Sequence, residues 1–139
     1  MASILDPTKE RDAHIEQRLR TDPTVWLITV RPDGRPHAVV VWFLWDGDSF
    51  LIFSQTNKQK LRNLQSNSNV LLAVGDTHKG SDPIAIEGIA TLIAPGEVDV
   101  TSAAYVEKYD ERIKRMGFTP EQMAAEYSQA IRVRPTRVL

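Results

Sequence analysis

Two lysines stand at the head of a short helix-like segment in Phe50–Leu64, FLIFSQTNKQKLRNL. A strand ending at Ser54, a polar turn and a helix starting near Lys58 follow in immediate succession. The first turn of a helix leaves backbone N–H groups unpaired and carries the positive end of the helix dipole, so it attracts anions. Lys58 and Lys60 add two ammonium groups at that point. The chemistry this arrangement offers is the holding of a phosphate-bearing ligand by backbone donors and lysines.

Other reactive groups are sparse. The absence of cysteine rules out disulfides, thiolate catalysis and cysteine-ligated metals. His14, His37 and His78 fall on a helix, a strand start and a loop, with no carboxylates at ligand spacing, so no metal site is expected. His37 reads as a surface histidine, and Glu87 in IEGIA as the solvent-facing position of a strand. No nucleophile with a neighbouring base emerges, and no triad is expected.

The elements that must position the lysines are mostly strands. A length of 139 residues suits a single domain spanning 1–139, and 42% hydrophobic with 25% charged residues is ordinary for a globular chain. No apolar run approaches the roughly 20 residues a membrane helix needs, and the first residues lack a secretory h-region, so a cytoplasmic location is expected. A net charge of −1 and a pI near 6.3 argue against a nucleic-acid partner, whose phosphates select a basic excess.

Asp6-Pro7 reads as the start of a helix over about Thr8–Arg20, with Ile15 and Leu19 on one face. TVWLITVR, Thr24–Arg31, is a strand; Pro32-Asp33-Gly34-Arg35 is a turn; Pro36–Trp45 is a second strand. Asp46-Gly47-Asp48 makes a hairpin turn into a third strand, Ser49–Ser54. The helix from Lys58 to Asn67 turns Leu61 and Leu64 inward. Val70–Asp76 and Pro83–Ala94 are further strands, with Gly88 a bulge or close-approach point. Gly96–Arg115 is helical with Val100, Ala103, Ala104 and Tyr105 inward, Thr119-Pro120-Glu121 starts another helix, and Tyr127–Leu139 closes as a strand. The strands are apolar at nearly every position, so both faces should be covered. The expected architecture is mainly β: a meander barrel of about six antiparallel strands with peripheral helices.

HAVVVWFLWDGDSFLIFS, then QTNKQKLRNLQSNSNVLLAV, then IAIEGIATLI resemble the pyridoxamine 5′-phosphate oxidase-like flavin-binding split β-barrel superfamily. Within it, the likeness is to the small oxidoreductases that use the deazaflavin coenzyme F420. The resemblance implies a homodimer with the cofactor in a groove between subunits. It places phosphate contacts on Ser54 and the tripeptide Lys58-Gln59-Lys60, with Lys60 foremost, and the ring system beside Val40, Val41 and Trp42. It also implies basic residues where Ala38, Phe43 and Gln59 stand, which counts against pyridoxamine phosphate oxidation and weakens the case for flavin mononucleotide (FMN).

The remaining candidates read as structural. Arg62 projects away from Lys60, and Asn63 reads as capping or packing. Trp26 and Trp45 read as packing, while Trp42 stays open between packing and the cofactor. Arg132, Arg134 and Arg137 alternate on the last strand, either reaching a cofactor tail or forming a solvated edge. The expected function is hydride transfer between F420 and a small organic acceptor. The alternatives are an FMN reductase or oxidase of the same fold, a non-catalytic flavin carrier, and, disfavoured by charge, an oligonucleotide-binding barrel.

Overall fold

A computed structural model describes residues 4–75, 82–94, 97 and 103–139. Along the chain run α1 (Glu10–Thr21), β1 (Val25–Val30), β2 (Pro36–Val41), β3 (Leu44–Trp45), β4 (Phe50–Ser54), α2 (Gln59–Ser66), β5 (Asn69–Val74), β6 (Ile84–Ile93), α3 (Ala103–Arg115), α4 (Pro120–Glu126) and β7 (Gln129–Val138). His78 and Val100 lie outside the described residues.

The seven strands form one antiparallel sheet in the order β2-β1-β5-β6-β7-β4-β3. This differs from a six-strand meander in two ways. After β4 the chain leaves through α2 and returns as β5 beside β1, and β7 inserts between β6 and β4. The expected strand Pro36–Trp45 is broken at Trp42-Phe43 into β2 and β3, which occupy opposite ends of the sheet. One continuous stretch of chain therefore carries both sheet edges, so the sheet curls until the edges meet at that break.

Burial explains the apolar runs. β4 is buried at all five positions: Phe50 and Ile52 enter the main core, while Leu51 and Phe53 enter a second core with Tyr105, Tyr109, Ile113 and Met123 of α3 and α4. β1 and β2 differ. Trp26 and Val40, directly opposite one another, are 46% and 50% exposed on the outer face of the sheet. Trp26 is thus no packing residue within this chain, and that face is uncovered. Trp45 is buried against Phe50, and its indole N–H donates to Glu16 of α1 at 2.7 Å.

Helix ends correct two local readings. The Asp6 carboxylate accepts from the Thr8 amide and hydroxyl, making a local turn, and the cap residue of α1 is Lys9. α1 still buries Ile15 and Leu19. In α3 the inward stripe is Tyr105, Tyr109 and Ile113, and Ala103 and Ala104 are exposed. The start of α4 is as expected: Thr119 and Gln122 form a reciprocal capping box behind Pro120.

Gly88 sits at a register shift where β6 crosses β7. A Cβ there would lie 2.7 Å from Val133 Cγ1 and 2.9 Å from the Arg134 carbonyl oxygen. The carbonyl belongs to a paired backbone and cannot swing aside. Gly88→Ala is expected to cost about 1–3 kcal/mol, as overpacking does elsewhere. Urea denaturation would show this as a lowered midpoint, and an unchanged midpoint would mean that the crossing relaxes.

Candidate functional site

The break at Trp42-Phe43 creates the site. Phe43's backbone polar groups have no ladder partner, and α3 supplies them instead. The Phe43 N–H donates to the Tyr109 hydroxyl at 2.8 Å. That hydroxyl in turn faces the carbonyls of Phe43 and Pro23 at 2.7 and 2.8 Å, and its one proton serves them both. The Lys108 ammonium donates to the Phe43 carbonyl at 2.8 Å and lies 3.8 Å above the Phe43 ring centre. Trp42 is turned onto the Tyr109 ring, stacked at 4.5 Å with parallel planes.

Burial pushes the Lys108 ammonium down to about 8, against Asp22, which favours its charge. The free lysine titrates near 10.5. Below pH 8 both folded and unfolded chains carry the proton, and the cost of burying the charge is felt in full. Between 8 and 10.5 the unfolded chain binds more protons, so this group's contribution to stability rises with pH. Lys108→Met should therefore remove part of the alkaline gain. Urea midpoints of both proteins at pH 7.5 and 9.5 would show the native protein gaining on the variant as pH rises, and a constant difference would refute it.

A groove of about 290 Å³ opens beside this junction. One wall is the end of β2, Val40, Val41 and Trp42. The opposite wall is the end of β4 with its following turn: Phe53, Ser54 and Gln55. Tyr105 of α3, Met116, Met123 of α4 and Tyr127 complete the apolar lining, and Lys60 of α2 stands at the polar end. The Gln55 amide donates to Glu126 at 2.6 Å, tying the turn to α4.

The first turn of α2 is open to a ligand. Its cap residue is Lys58, no side chain caps the helix, and the turn contains no acid. Asn57 enters it at φ 61°, and Arg62 braces the loop through the Asn57 carbonyl and Gln59 Oε1. Burial lowers the Lys60 ammonium below the usual lysine range, and the neighbouring Lys58 lowers it further.

Val40, Val41, Trp42, Ser54 and Lys60 are thus brought together on one groove. Lys58 and Gln59 are not. Lys58 is exposed beside the groove, and the Gln59 amide donates to Asn63 at 2.8 Å. The Ser54 hydroxyl is engaged with the Gln55 carbonyl at 2.7 Å. Asn63 is fully buried and donates to the Thr29 hydroxyl at 2.9 Å, so it anchors α2 to β1. Ala38 is exposed on the sheet and Phe43 is in the core, so neither faces the groove. Arg132 donates to the Ser49 hydroxyl at 2.7 Å from a strand inside the sheet, which removes the solvated-edge reading. Arg134, Arg137 and Glu87 are exposed.

Sequence reasoning missed the far wall: Phe53, Met116, Met123 and Tyr127, and Tyr105 as a site residue. The signal available was the Tyr105, Tyr109, Ile113 stripe at four-residue spacing, which the alanine reading of that helix obscured. Among the described residues, no group of three or more His, Asp or Glu is placed to hold a metal, and no helix is long and apolar enough to cross a membrane.

A curled antiparallel sheet closed at the β2–β3 break, with a groove lined by Trp42, Tyr105 and Lys60, defines the class as a split β-barrel. The chain belongs to the pyridoxamine 5′-phosphate oxidase family, whose profile matches residues 12–139. No curated protein matches the sequence significantly. Among solved structures, an F420 reductase is similar at 30% identity and a TM-score of 0.68, over 89% of this chain and 94% of that one. A conserved hypothetical protein from Mycobacterium tuberculosis is 26% identical, with a TM-score of 0.67 over 91% and 81% of the two chains. HutZ, a heme storage protein from Vibrio cholerae, shares the fold at 14% identity and a TM-score of 0.66, over 94% of each chain.

Proposed function

We propose that this chain, 1–139, is one cofactor-binding domain that transfers a hydride between coenzyme F420 and a small organic acceptor. The observation that carries the reading is the groove itself. An apolar wall of Val40, Val41 and Trp42 shares the groove with Lys60, which belongs to the first turn of an uncapped helix. A flat ring bearing a phosphate on a chain has the same distribution of polarity. The likeness to an F420 reductase supports the choice of deazaflavin.

The residues fit that group. Val40 to Trp42 would cover the ring, with Trp42 held rigid from behind by Tyr109. Lys60, with the first-turn amides of α2, would take the phosphate, and Lys58 would add long-range attraction from the surface. Ser54 and Gln59 would act on the phosphate loop from within, Ser54 by holding Gln55 and Gln59 by bracing Asn63 and Arg62. When bound, the deazaflavin supplies hydride chemistry with little reaction toward oxygen. The protein orients it, and its aromatic and methionine side chains exclude water.

The groove lies at the small end of the roughly 300–1,000 Å³ typical of ligand pockets. The adjoining outer face carries exposed Trp26 and Val40. A homodimer that covers this face and encloses the groove accounts for both features.

Parallel fluorescence titration with F420 and FMN tests the reading. Micromolar or tighter binding of F420 alone supports it and leads to an acceptor screen. Preference for FMN moves the chain to an FMN reductase or oxidase. Tight binding without turnover of any acceptor indicates a carrier. Binding of neither refutes the cofactor reading.

A further inference from the structure

Basic side chains without anionic partners gather around the start of α2, and Lys60 among them also lines the groove. Lys58 and Lys60 begin α2, Arg31 follows β1, and His37 lies on β2. Among the described residues none of these four side chains makes an ion pair or hydrogen bond. Lys9, Arg112, Arg134 and Arg137 also lack a carboxylate but are scattered over other elements, whereas these four meet around one helix start. In a chain of net charge −1, such a concentration of unpaired cations is costly unless an anion answers it.

The fold places His37 there. It is directly opposite Thr29 in the β1–β2 register, so the two side chains share a sheet face. Thr29 is buried and accepts from Asn63 of α2, which sets that face under the start of the helix. The His37 ring is half-buried, and its Nδ1 is sealed from solvent with no partner. Burial, then Arg31, then Lys60 push the imidazole below its usual range, so the charges acting on it, from β1's end and from α2, are cationic.

We propose that His37 is an anion ligand of this groove, and that the cradle of His37, Arg31 and Lys60 takes up a proton as a phosphoryl or carboxylate group enters. The cradle stands on its own geometry, and the identity of the anion as the F420 phosphate rests on the cofactor reading above. An entering anion offsets the repulsion from Arg31 and Lys60 and favours the charged ring. Affinity then rises as pH falls through the bound-state titration of His37, and levels off below the free-state one.

Two measurements test this. The first is the F420 dissociation constant from pH 8 to 5.5 for the native protein and for His37→Gln. Titration of the ligand itself is common to both, so their difference reports His37. The native protein is expected to gain about tenfold over the variant across this range, the equivalent of one pKa unit. Equal profiles overturn the proposal. The second is histidine NMR titration in sulfate against chloride, with His37 assigned among the three histidines by its loss in the variant. Sulfate should move the His37 titration to higher pH, and an unmoved titration overturns the proposal whether or not F420 binds. A sulfate-sensitive His37 in a protein that ignores F420 keeps the anion cradle and removes the cofactor reading.

Discussion

Lys60→Ala is expected to weaken F420 binding by about 1.5–3 kcal/mol, a roughly 10- to 150-fold rise in Kd, which is what one charge-assisted hydrogen bond contributes. The lysine is the groove's own cation, half-buried and unpaired at the start of a helix that has no capping side chain and no acid in its first turn. The fold gains nothing from holding it there. Its ammonium is disfavoured by burial and by Lys58, so its removal should leave the urea midpoint unchanged or slightly raised. A loss of binding with stability intact therefore belongs to the ligand contact. Lys58→Ala is the internal comparison: it removes an exposed charge outside the groove, and screening limits its effect. Fluorescence titration of the three proteins at one ionic strength decides the matter. An unchanged Kd for Lys60→Ala removes the central assignment of the site.

The second large effect is on folding. Tyr109→Phe is expected to destabilise the protein by about 1–3 kcal/mol, the penalty of leaving a buried donor unmet. The hydroxyl is the acceptor for the Phe43 N–H and the donor to the carbonyls of Phe43 and Pro23, all at 2.7–2.8 Å. Water cannot easily replace it, since Tyr109 and Phe43 are fully buried. Phenylalanine keeps the rings that stack on Trp42 and touch Tyr105, so the loss reports hydrogen bonding rather than packing. Urea denaturation would show a lower midpoint at an unchanged slope. A midpoint equal to the native one would mean that Lys108, which also donates to the Phe43 carbonyl, and the strand break itself need no help from the hydroxyl. That result would assign the break between β2 and β3 to the sequence around Trp42 alone.

These two residues mark a division in what could be read. The sequence by itself determined the local devices. Gly34 and Gly47 adopt positive φ in the turns whose residues demanded it, and Thr119 caps α4 ahead of Pro120. Leu61 and Leu64 face inward from α2, and β4 is covered on both faces as its unbroken apolar run required. Helix capping, turn conformation and burial periodicity act over four residues or fewer, so their signals survive without knowledge of the fold. The polar turn and helix start after β4 were legible for the same reason, while Lys60 stood out from an ordinary basic face only through the family resemblance.

Only the tertiary structure decided which surfaces meet. Val40 to Trp42 and Lys60 share a groove because the sheet order sends the chain through α2 from β4 to β5, beside β1. Phe43 looked like the middle of a strand, and it leaves the ladder because a tyrosine 66 positions away takes its backbone bonds. Tyr105, Met116, Met123 and Tyr127 close the groove from helices whose apolar residues are indistinguishable, in sequence, from any core stripe. His37 looked like a surface histidine until the register set it opposite Thr29, under α2 and within the influence of Arg31 and Lys60. Each of these depends on pairing between distant segments, where side-chain type is permissive and the order of strands makes the choice.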